Sequence, residues 1–331
     1  MTLIAPAVQA FFTTRLITQQ AASPETISSY RDAIRLLAEF ASARSGKPPS
    51  RLDFADVDHR CVAEFLDHLA AKRGNTDATR NNRLAAVRSM FAASVLAHPE
   101  HANDIAMVLA IPARKTTKSE VVFLRDDEAD ALTAAPDTQT RAGRRDQAIW
   151  ATALGTGMRI SELTSLTRAS LDNAGKTLLA TVVGKGRKQR TLPLPAATAQ
   201  LLNQWLKETP GAPATPVFPN RIGGRMSRDA VEARLKQSVL TASEQCESIR
   251  AKHVTCHILR HTFAMKLIRA GIDVATIALW LGHESIETTK IYLHADLALK
   301  QQALDRIPQT AAVPVAPYKP DDDLLAYLQG L

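Results

Sequence analysis

The sequence predicts a mostly α-helical chain with one small antiparallel β-sheet, divided into two domains. Apolar residues recur at helical spacing in most segments, and glycine or proline separates the segments. The period changes to alternation only in KTLLATVVGKGRKQRTLPLP, on both sides of the basic turn GKGRKQ, which is typical of a hairpin. The stretch PARKTTKSE, from Pro112 to Glu120, lacks apolar periodicity and is interpreted as a basic interdomain linker over residues 112–120.

The first domain, residues 1–111, is predicted to consist of helices. The segment that starts at Ser23 has a capping serine, Pro24 at the first helical position and apolar residues at helical spacing up to Phe40. A second helix stops at Gly74, and a third begins after a cap at Thr76 or Asp77. NDIAMVLAIP is predicted to be a short fourth helix.

The second domain, residues 121–307, is predicted to surround the hairpin with helices. MRISELTSLTRASLD keeps helical spacing, and SIETTKIYLHADLALKQQALDRI is predicted to be the last helix of the domain. Residues 308–331 differ in composition: a Pro- and Ala-rich linker leads to DDDLLAYLQGL. That peptide has an acidic start and an apolar face, so it is predicted to be a docking helix that cannot be stable alone.

Charge and composition favour a polyanionic partner. The 331-residue chain has 45% hydrophobic and 22% charged residues, a net charge of +8 and a sequence pI of about 9.5. Nucleic acid is the first candidate and an acidic membrane surface the second, although charge alone leaves a basic, unspecialised enzyme open.

Three cysteines, Cys61, Cys246 and Cys256, form no CxxC pair, which favours a reducing compartment. No signal-peptide order and no apolar run long enough for a bilayer are present, so we predict a soluble, cytoplasmic protein without a membrane partner.

Five features of the second domain fit a reaction at one phosphate group. They are Arg159 after a glycine turn, Lys185 in the hairpin turn, His257 with Arg260 one helical turn later, His283 after Leu281–Gly282, and Tyr292. Cationic and N–H donor groups of these types can surround one phosphate, because arginine offers paired donors and a permanent charge. They bind a pentavalent phosphorus transition state, which carries more charge, better than the diester.

Tyr292 suits the role of a nucleophile. A phenol is weak while neutral, so His257 or His283 is a candidate to share or take its proton, and Lys185 is a candidate general acid for the departing 5′ oxygen. The sequence contains no acidic cluster with magnesium spacing and no phosphate-cradling GxxxxGK[ST] loop. We therefore expect no cofactor or metal, and a reaction that conserves a phosphoester bond without ATP.

At these residues the sequence resembles the tyrosine recombinase (phage-type integrase) family, whose ordered pattern is Arg, Lys, HxxR, His or Trp, and Tyr. GTGMRISEL, VVGKGRKQR, HILRHTFA, LGH and KIYLHA are close to its sequence boxes, and SPETISSYRDAIRLLAEF and RNNRLAAVRSMF are similar to its N-terminal helices. The resemblance covers residues 5 to 307.

The resemblance implies a two-domain DNA clamp: a helical, SAM-like core-binding domain and an α+β catalytic domain. It also implies a site-specific recombinase that forms a 3′-phosphotyrosyl link to double-stranded DNA and assembles as a tetramer on recombination sites. Integrases carried by mobile elements are the most similar subtype. The tail is then expected to dock on a neighbouring protomer, with packing on its own chain as the alternative. We expect such a protein to be associated with the nucleoid.

Further residues are predicted to support DNA binding or the site. Glu162 is expected to orient Arg159, and His261 to be a buried, hydrogen-bonded partner. The DNA-binding candidates are Arg80, Arg83 and Arg88 on the third helix, Lys115 and Lys118 in the linker, and Arg187, Lys188 and Arg190 in the hairpin. The hairpin residues are expected to contact DNA or to be solvated in the turn, rather than to be catalytic.

Three alternatives stay open at this level. His253, His257 and His261 recur four apart near Cys256 and suggest a metal face, although no further ligand pair completes it. A type IB topoisomerase would use the same chemistry to relax supercoils. A DNA-binding accessory protein would use the basic surface without cutting.

Overall fold

The computed structural model describes residues 2–116, 121–184, 188–283 and 285–294, together with residues 327, 328 and 330. The chain forms two compact units, Met1–Lys118 and Ser119–Leu331. Helices dominate both described units, and the second also contains a small three-stranded antiparallel sheet. The predicted fold class is therefore confirmed.

The first unit is a helical bundle. Its helices are α1 (Ile4–Ala10), α2 (Pro24–Ser45), α3 (His59–Arg73), α4 (Asp77–Ser94) and α5 (Ala102–Ala110). A π-helical stretch, Phe11–Gln19, continues α1, where no separate element was predicted. The bundle closes around large apolar side chains that α3 and α4 contribute, including Phe65, Val87 and Phe91.

Local capping explains where these helices begin and end. The hydroxyl of Ser23 accepts a hydrogen bond from the Thr26 amide, and Thr76 caps α4 in the same way. Gly46 and Gly74 end α2 and α3 in the left-handed conformation, at φ of 72° and 60°. The boundaries at Ser23, Gly74 and Thr76 match the predicted start and stop signals.

The second unit surrounds its sheet with helices. Its elements are α6 (Asp126–Ala134), α7 (Arg141–Thr156), α8 (Ile160–Ser165), β1 (Leu171–Ala174), β2 (Thr177–Val183), β3 (Gln189–Pro193), α9 (Ala196–Glu208), α10 (Arg228–Gln245), α11 (Cys256–Arg269), α12 (Val274–Leu281) and α13 (Glu287–Lys290), with a 3₁₀ turn at Ile291–His294. Trp150 on α7 and Trp205 on α9 are buried in its main core.

The sheet has the order β1–β2–β3 and is antiparallel throughout. Alternate residues of β2 face the core: Leu178, Ala180 and Val182 are buried. On the other face the hydroxyls of Thr181 and Thr191 are hydrogen-bonded at 3.0 Å. The predicted hairpin is present, and its turn residues 185–187 lie outside the described residues.

One predicted helix is shorter than expected, and another is described only in part. The helical spacing predicted through MRISELTSLTRASLD ends at Ser165, and Leu171–Ala174 forms β1 because it pairs with β2. Of the predicted last helix, only α13 and the 3₁₀ turn are described, and the segment after residue 294 lies outside the described residues. Within the described part of the chain, no helix is both long and apolar enough to cross a membrane.

Candidate active site

The C-terminal end of α12 gathers three arginines. Three consecutive carbonyl oxygens, at residues 280–282, each accept a hydrogen bond from a different guanidinium. The pairs are Arg190 Nε with Trp280 at 2.9 Å, Arg260 Nη2 with Leu281 at 2.7 Å, and Arg159 Nη2 with Gly282 at 2.9 Å. The last carbonyls of a helix lack helical partners and carry its negative dipole, so cations are stabilised there.

Arg159 stands at a tight junction between α7 and α8. Gly157 ends α7 at φ 65°, and a Cβ there would lie 2.5 Å from Phe263 and 2.8 Å from Leu281. Only glycine therefore allows α7, α11 and α12 to meet at this point. The Arg159 side chain keeps 33% of its surface exposed, so part of its guanidinium remains available to an anion.

Glu162 connects two of the arginines. Its carboxylate, 3% exposed, accepts from the Arg159 amide at 2.8 Å and from Arg159 Nη1 at 3.0 Å. It also accepts from Arg190 Nη1 at 2.9 Å and Nη2 at 2.8 Å. Burial alone would raise the Glu162 pKa, but the hydrogen bonds from Arg190 and the Arg159 amide hold that pKa below its usual value.

Arg260 is almost completely buried, at 2% exposure, and donates to the carbonyls of Gly157 and Leu281. Burial lowers the pKa of this guanidinium to about 10, helped by the nearby charge of Arg159. The group is still charged at neutral pH. It therefore provides a fixed positive charge in a region of low dielectric, where charge acts most strongly.

The two candidate phosphate-binding histidines have different environments. His257 lies in the first turn of α11 and is exposed, and partial desolvation followed by the charge of Arg260 lowers its pKa. His283 follows the left-handed Gly282 that ends α12, and its Nδ1 lies 2.7 Å from the Thr289 hydroxyl. Burial lowers the His283 pKa to about 4, so this imidazole is neutral at pH 7.

Tyr292 is buried beside these groups, at 1% exposure. Its hydroxyl lies 2.8 Å from Nδ1 of His261, and burial raises its pKa to about 12 against the opposing charges of Arg260 and Arg159. Burial lowers the His261 pKa to about 4. The His257 and His261 rings meet edge to face with centroids 4.3 Å apart, so the two histidines and the phenol form a continuous row.

The second unit thus brings five of the six predicted catalytic residues into one region: Arg159, His257, Arg260, His283 and Tyr292. Lys185 lies outside the described residues. The contacts of Arg190 and Thr289 with this site were not predicted, because the residues that they contact are distant in sequence or carry no local signal. Arg190 is not a solvated turn residue, because it lies on β3 with its side chain only 14% exposed.

The three arginine candidates on α4 are less exposed than residues of a surface patch would be. Arg80 is buried, and its Nε and Nη1 atoms have no hydrogen-bond partner within the described residues. Arg83 Nη1 and Arg88 Nε are also buried without a partner there, while Arg88 Nη2 donates to the Ile111 carbonyl. Lys115 is exposed.

In the second unit, the hairpin candidate Lys188 is exposed. Lys118 and Arg187 lie outside the described residues.

The metal alternative has no geometric support in the described segments. His253 precedes α11, which begins at Cys256, so it does not share a helix face with His257 and His261. Over these segments no three His, Cys, Asp or Glu side chains form a group that could hold a metal ion. All three cysteines are free.

The matches to known families cover both units. Residues 122–298 match the phage integrase family, and residues 9–98 match the phage integrase N-terminal SAM-like domain. The chain belongs to the phage integrase family. It is a tyrosine recombinase, an enzyme of site-specific recombination.

Two relatives of this recombinase are similar over most of its length. It is 45% identical over 328 residues to y4rC of Sinorhizobium fredii, whose name describes an integrase/recombinase; the match covers 99% of this chain and 98% of y4rC. It is 34% identical over 286 residues to tyrosine recombinase XerC of Xanthomonas campestris pv. campestris, covering 86% of this chain and 83% of XerC. These relatives favour neither the topoisomerase nor the accessory-protein alternative.

Solved structures share the fold. XerH site-specific recombinase, in a post-cleavage complex with palindromic difH substrate, has a TM-score of 0.67 at 20% identity, with 87% of this chain and 81% of XerH covered. Tn1549 transposon integrase, in complex with circular intermediate DNA, has a TM-score of 0.67 at 19% identity, with 92% of this chain and 100% of that chain covered. At sequence identities of 20% and 19%, these matches show a shared fold.

Proposed function

We propose that this recombinase cuts double-stranded DNA with Tyr292 as its nucleophile and with Arg159, His257, Arg260 and His283 around the scissile phosphate. The observation that carries the proposal is the row of cationic and N–H donor groups at the end of α12, next to a phenol that is hydrogen-bonded to an imidazole. Anchored donors of this kind stabilise developing negative charge without having to reorganise during the reaction.

The reaction is a transesterification. The Tyr292 oxygen attacks phosphorus, the bond from phosphorus to the 5′ oxygen breaks, and a 3′-phosphotyrosyl link forms. The phenol proton goes to His261, the imidazole that lies 2.8 Å from it, rather than to His257 or His283. The departing 5′ oxygen takes a proton from Lys185, which stays a prediction outside the described residues. One phosphoester replaces another, so no ATP is needed.

Burial of Tyr292 requires a rearrangement before attack. A phosphate cannot reach a hydroxyl whose side chain is 1% exposed. We therefore propose that α13 and the following 3₁₀ turn shift when DNA binds, enough to expose the phenol to the phosphate while its hydroxyl keeps the contact with His261. The negative charge of the phosphate would also raise the pKa of His261 and make this imidazole a stronger base.

Assembly on DNA is proposed to involve four protomers on two recombination sites. XerH and Tn1549 integrase are solved in complex with DNA, and a lambda integrase dimer is solved bound to a core site, which supports DNA-bound multimers in this family. We propose that residues 321–331 dock on a neighbouring protomer, because their acidic start and apolar face need a partner surface. Deleting them should weaken assembly and recombination, and unchanged assembly would contradict the docking.

The cellular setting is proposed to be the cytoplasm, where the enzyme would associate with the nucleoid. A net charge of +8 and free cysteines support a DNA partner in a reducing compartment. Clamp binding should weaken steeply as salt rises, because phosphate contacts release counterions.

Covalent trapping tests the cleavage proposal and also identifies the DNA. Cells that express the protein are lysed under denaturing conditions, and DNA fragments that remain attached to it are sequenced. A duplex of the recovered sequence with a nick near the cut then serves as substrate, since loss of a short strand prevents religation. Wild type should accumulate a protein–DNA adduct, and Tyr292→Phe should form none. An adduct that persists in Tyr292→Phe would refute Tyr292 as the nucleophile.

A further inference from the structure

We propose that Arg190 is a positioning residue for DNA cleavage, which holds Arg159 and His283 in place without contacting the DNA. The inference rests on the proposed function of those two residues as phosphate ligands. It assigns Arg190 a role different from the DNA contact that its place beside a basic turn suggested.

All three nitrogens of the Arg190 guanidinium donate to the protein. Nε donates to the Trp280 carbonyl at 2.9 Å, and Nη1 and Nη2 donate to the two oxygens of Glu162 at 2.9 and 2.8 Å. The pairing with Glu162 is bidentate, the geometry in which arginine binds a carboxylate most specifically. A guanidinium held in this way, in a side chain 14% exposed, is not free to turn toward a phosphate.

Two glycines make room for this guanidinium. A Cβ on Gly282 would lie 2.8 Å from Arg190 Nη1, and a Cβ on Gly184 would lie 3.3 Å from the same atom. Gly282 directly precedes His283, and Gly184 directly follows β2. The Arg190 side chain therefore contacts the backbone next to one candidate catalytic residue and at the end of the strand that leads into the hairpin turn.

The charge balance explains why Arg190 matters for Arg159. Two arginines share one Glu162 carboxylate, and the same Oε1 atom accepts from Arg159 Nη1 and Arg190 Nη1. Because Arg190 neutralises the carboxylate, Arg159 retains an uncompensated charge for a phosphate. Without Arg190, Arg159 would be the remaining cationic partner of the buried carboxylate among the described residues, and the carboxylate would draw it inward.

A lysine should replace Arg190 only in part. Lysine keeps one positive charge, but it presents a point charge and cannot bind both Glu162 oxygens and the Trp280 carbonyl in one plane. Arg190→Lys should therefore recover some of the charge balance and little of the geometry.

Arg145 supplies a matched control. Its side chain is 12% exposed, it donates through Nε and Nη2 to the fully buried Asp146, and its Nη1 donates to the Pro219 carbonyl at 3.1 Å. It thus makes the same kinds of bond in the same unit, and its hydrogen bonds go to no residue of the candidate site. A loss caused only by weakened folding should be similar for Arg145→Gln and Arg190→Gln.

The test measures adduct formation on the nicked duplex recovered by trapping, at saturating DNA, alongside the Kd and its salt dependence. For Arg190→Gln we expect the saturated rate to fall on the order of 100-fold, as for loss of a preorganised transition-state contact. The Kd should change less than about threefold, and the salt slope by no more than the single phosphate contact of Arg159, because Arg190 itself contacts no phosphate. Arg190→Lys should lie between Arg190→Gln and wild type, and Arg145→Gln should cleave at nearly the wild-type rate.

Two results would overturn the proposal. Weaker binding with a shallower salt slope and a normal saturated rate would identify Arg190 as a phosphate contact. An equal loss of rate in Arg145→Gln would show a general effect of folding. Absence of an adduct with wild type would instead refute the cleavage proposal, so the two failures are distinguishable.

Discussion

The Nδ1 atom of His283 lies 2.7 Å from the hydroxyl oxygen of Thr289, whose side chain is completely buried. Thr289 precedes Tyr292 by three residues, so this contact joins a candidate phosphate ligand to the segment that carries the nucleophile. When the threonine hydroxyl donates to Nδ1, the proton of the neutral imidazole is on Nε2, which can then donate to a phosphate. In that arrangement the hydroxyl fixes both the tautomer and the ring orientation.

Replacing Thr289 with valine should remove the hydrogen bond to His283 without changing the packing, because valine has the shape of threonine and lacks the hydroxyl. We expect adduct formation at saturating DNA to slow about fivefold, since a net hydrogen bond contributes about 1 kcal/mol and 1.4 kcal/mol corresponds to a factor of ten. Thr289→Ser, which keeps a hydroxyl, should stay closer to wild type. Equal rates for the valine and serine variants would contradict the role of the contact.

Much of the fold was predictable because its signals are local. Ser23 and Thr76 cap helices within three residues, and Gly46, Gly74 and Gly157 end helices by adopting positive φ. The strand β1 was missed because three of its four residues are exposed and show no alternation; it is a strand only through its pairing with β2. The intrinsic strand propensity of these four residues does not reveal their pairing with β2.

The candidate site, like the fold, has a part that was predictable from the sequence and a part that was not. The ordered residue types from Arg159 to Tyr292 predicted the cluster, because they suit one reaction and resemble one family. Arg190 was predicted to contact DNA or solvent because a basic turn precedes it. Its partners Glu162 and Trp280 lie 28 and 90 positions away in sequence, and no local pattern reports such contacts.

His261 provides a test of proton transfer. His261→Gln removes the imidazole that lies against the phenol, so the adduct rate should fall on the order of 100-fold, the lower range for general base catalysis. With no imidazole acceptor, the rate of the variant should rise about tenfold per pH unit between about pH 7 and 9, because the phenolate fraction limits it. The wild-type rate should depend less on pH in that range.

The control for this experiment is His253→Gln, an exposed histidine that precedes α11. It should leave both the rate and the pH profile unchanged. A His261→Gln profile that is parallel to that of wild type would refute the proton acceptor role, even if the rate were lower.

The lowered pKa of His283, about 4, predicts a loss of stability in acid. Between pH 4 and the ordinary histidine value of about 6.5, the unfolded chain binds a proton at this residue that the folded chain does not. The free energy of unfolding therefore falls as pH decreases through that window, and above it His283 contributes no pH dependence. His283→Gln should lose less stability than wild type between pH 7 and 5, measured by urea unfolding, whereas His253→Gln should follow wild type.

Gly282 and Gly271 allow backbone strain to be separated from contact with Arg190. Both glycines have positive φ, 63° and 80°, but a Cβ on Gly271 meets no atom within 4 Å, whereas a Cβ on Gly282 lies 2.8 Å from Arg190 Nη1. Alanine at either position should reduce the free energy of unfolding by roughly 1 kcal/mol or more, because it must adopt a left-handed conformation.

Only Gly282→Ala should also displace the Arg190 guanidinium from Glu162 and Trp280. We expect its saturated rate of adduct formation to fall at least about tenfold, as for one lost hydrogen bond to a charged group, while Gly271→Ala cleaves like wild type despite similar strain. If both variants lose the same rate for the same loss of stability, the fit between Gly282 and Arg190 has no separate part in cleavage. A loss confined to Gly282→Ala, with DNA affinity unchanged, shows that the distance between Arg190 and the α12 terminus limits the chemistry.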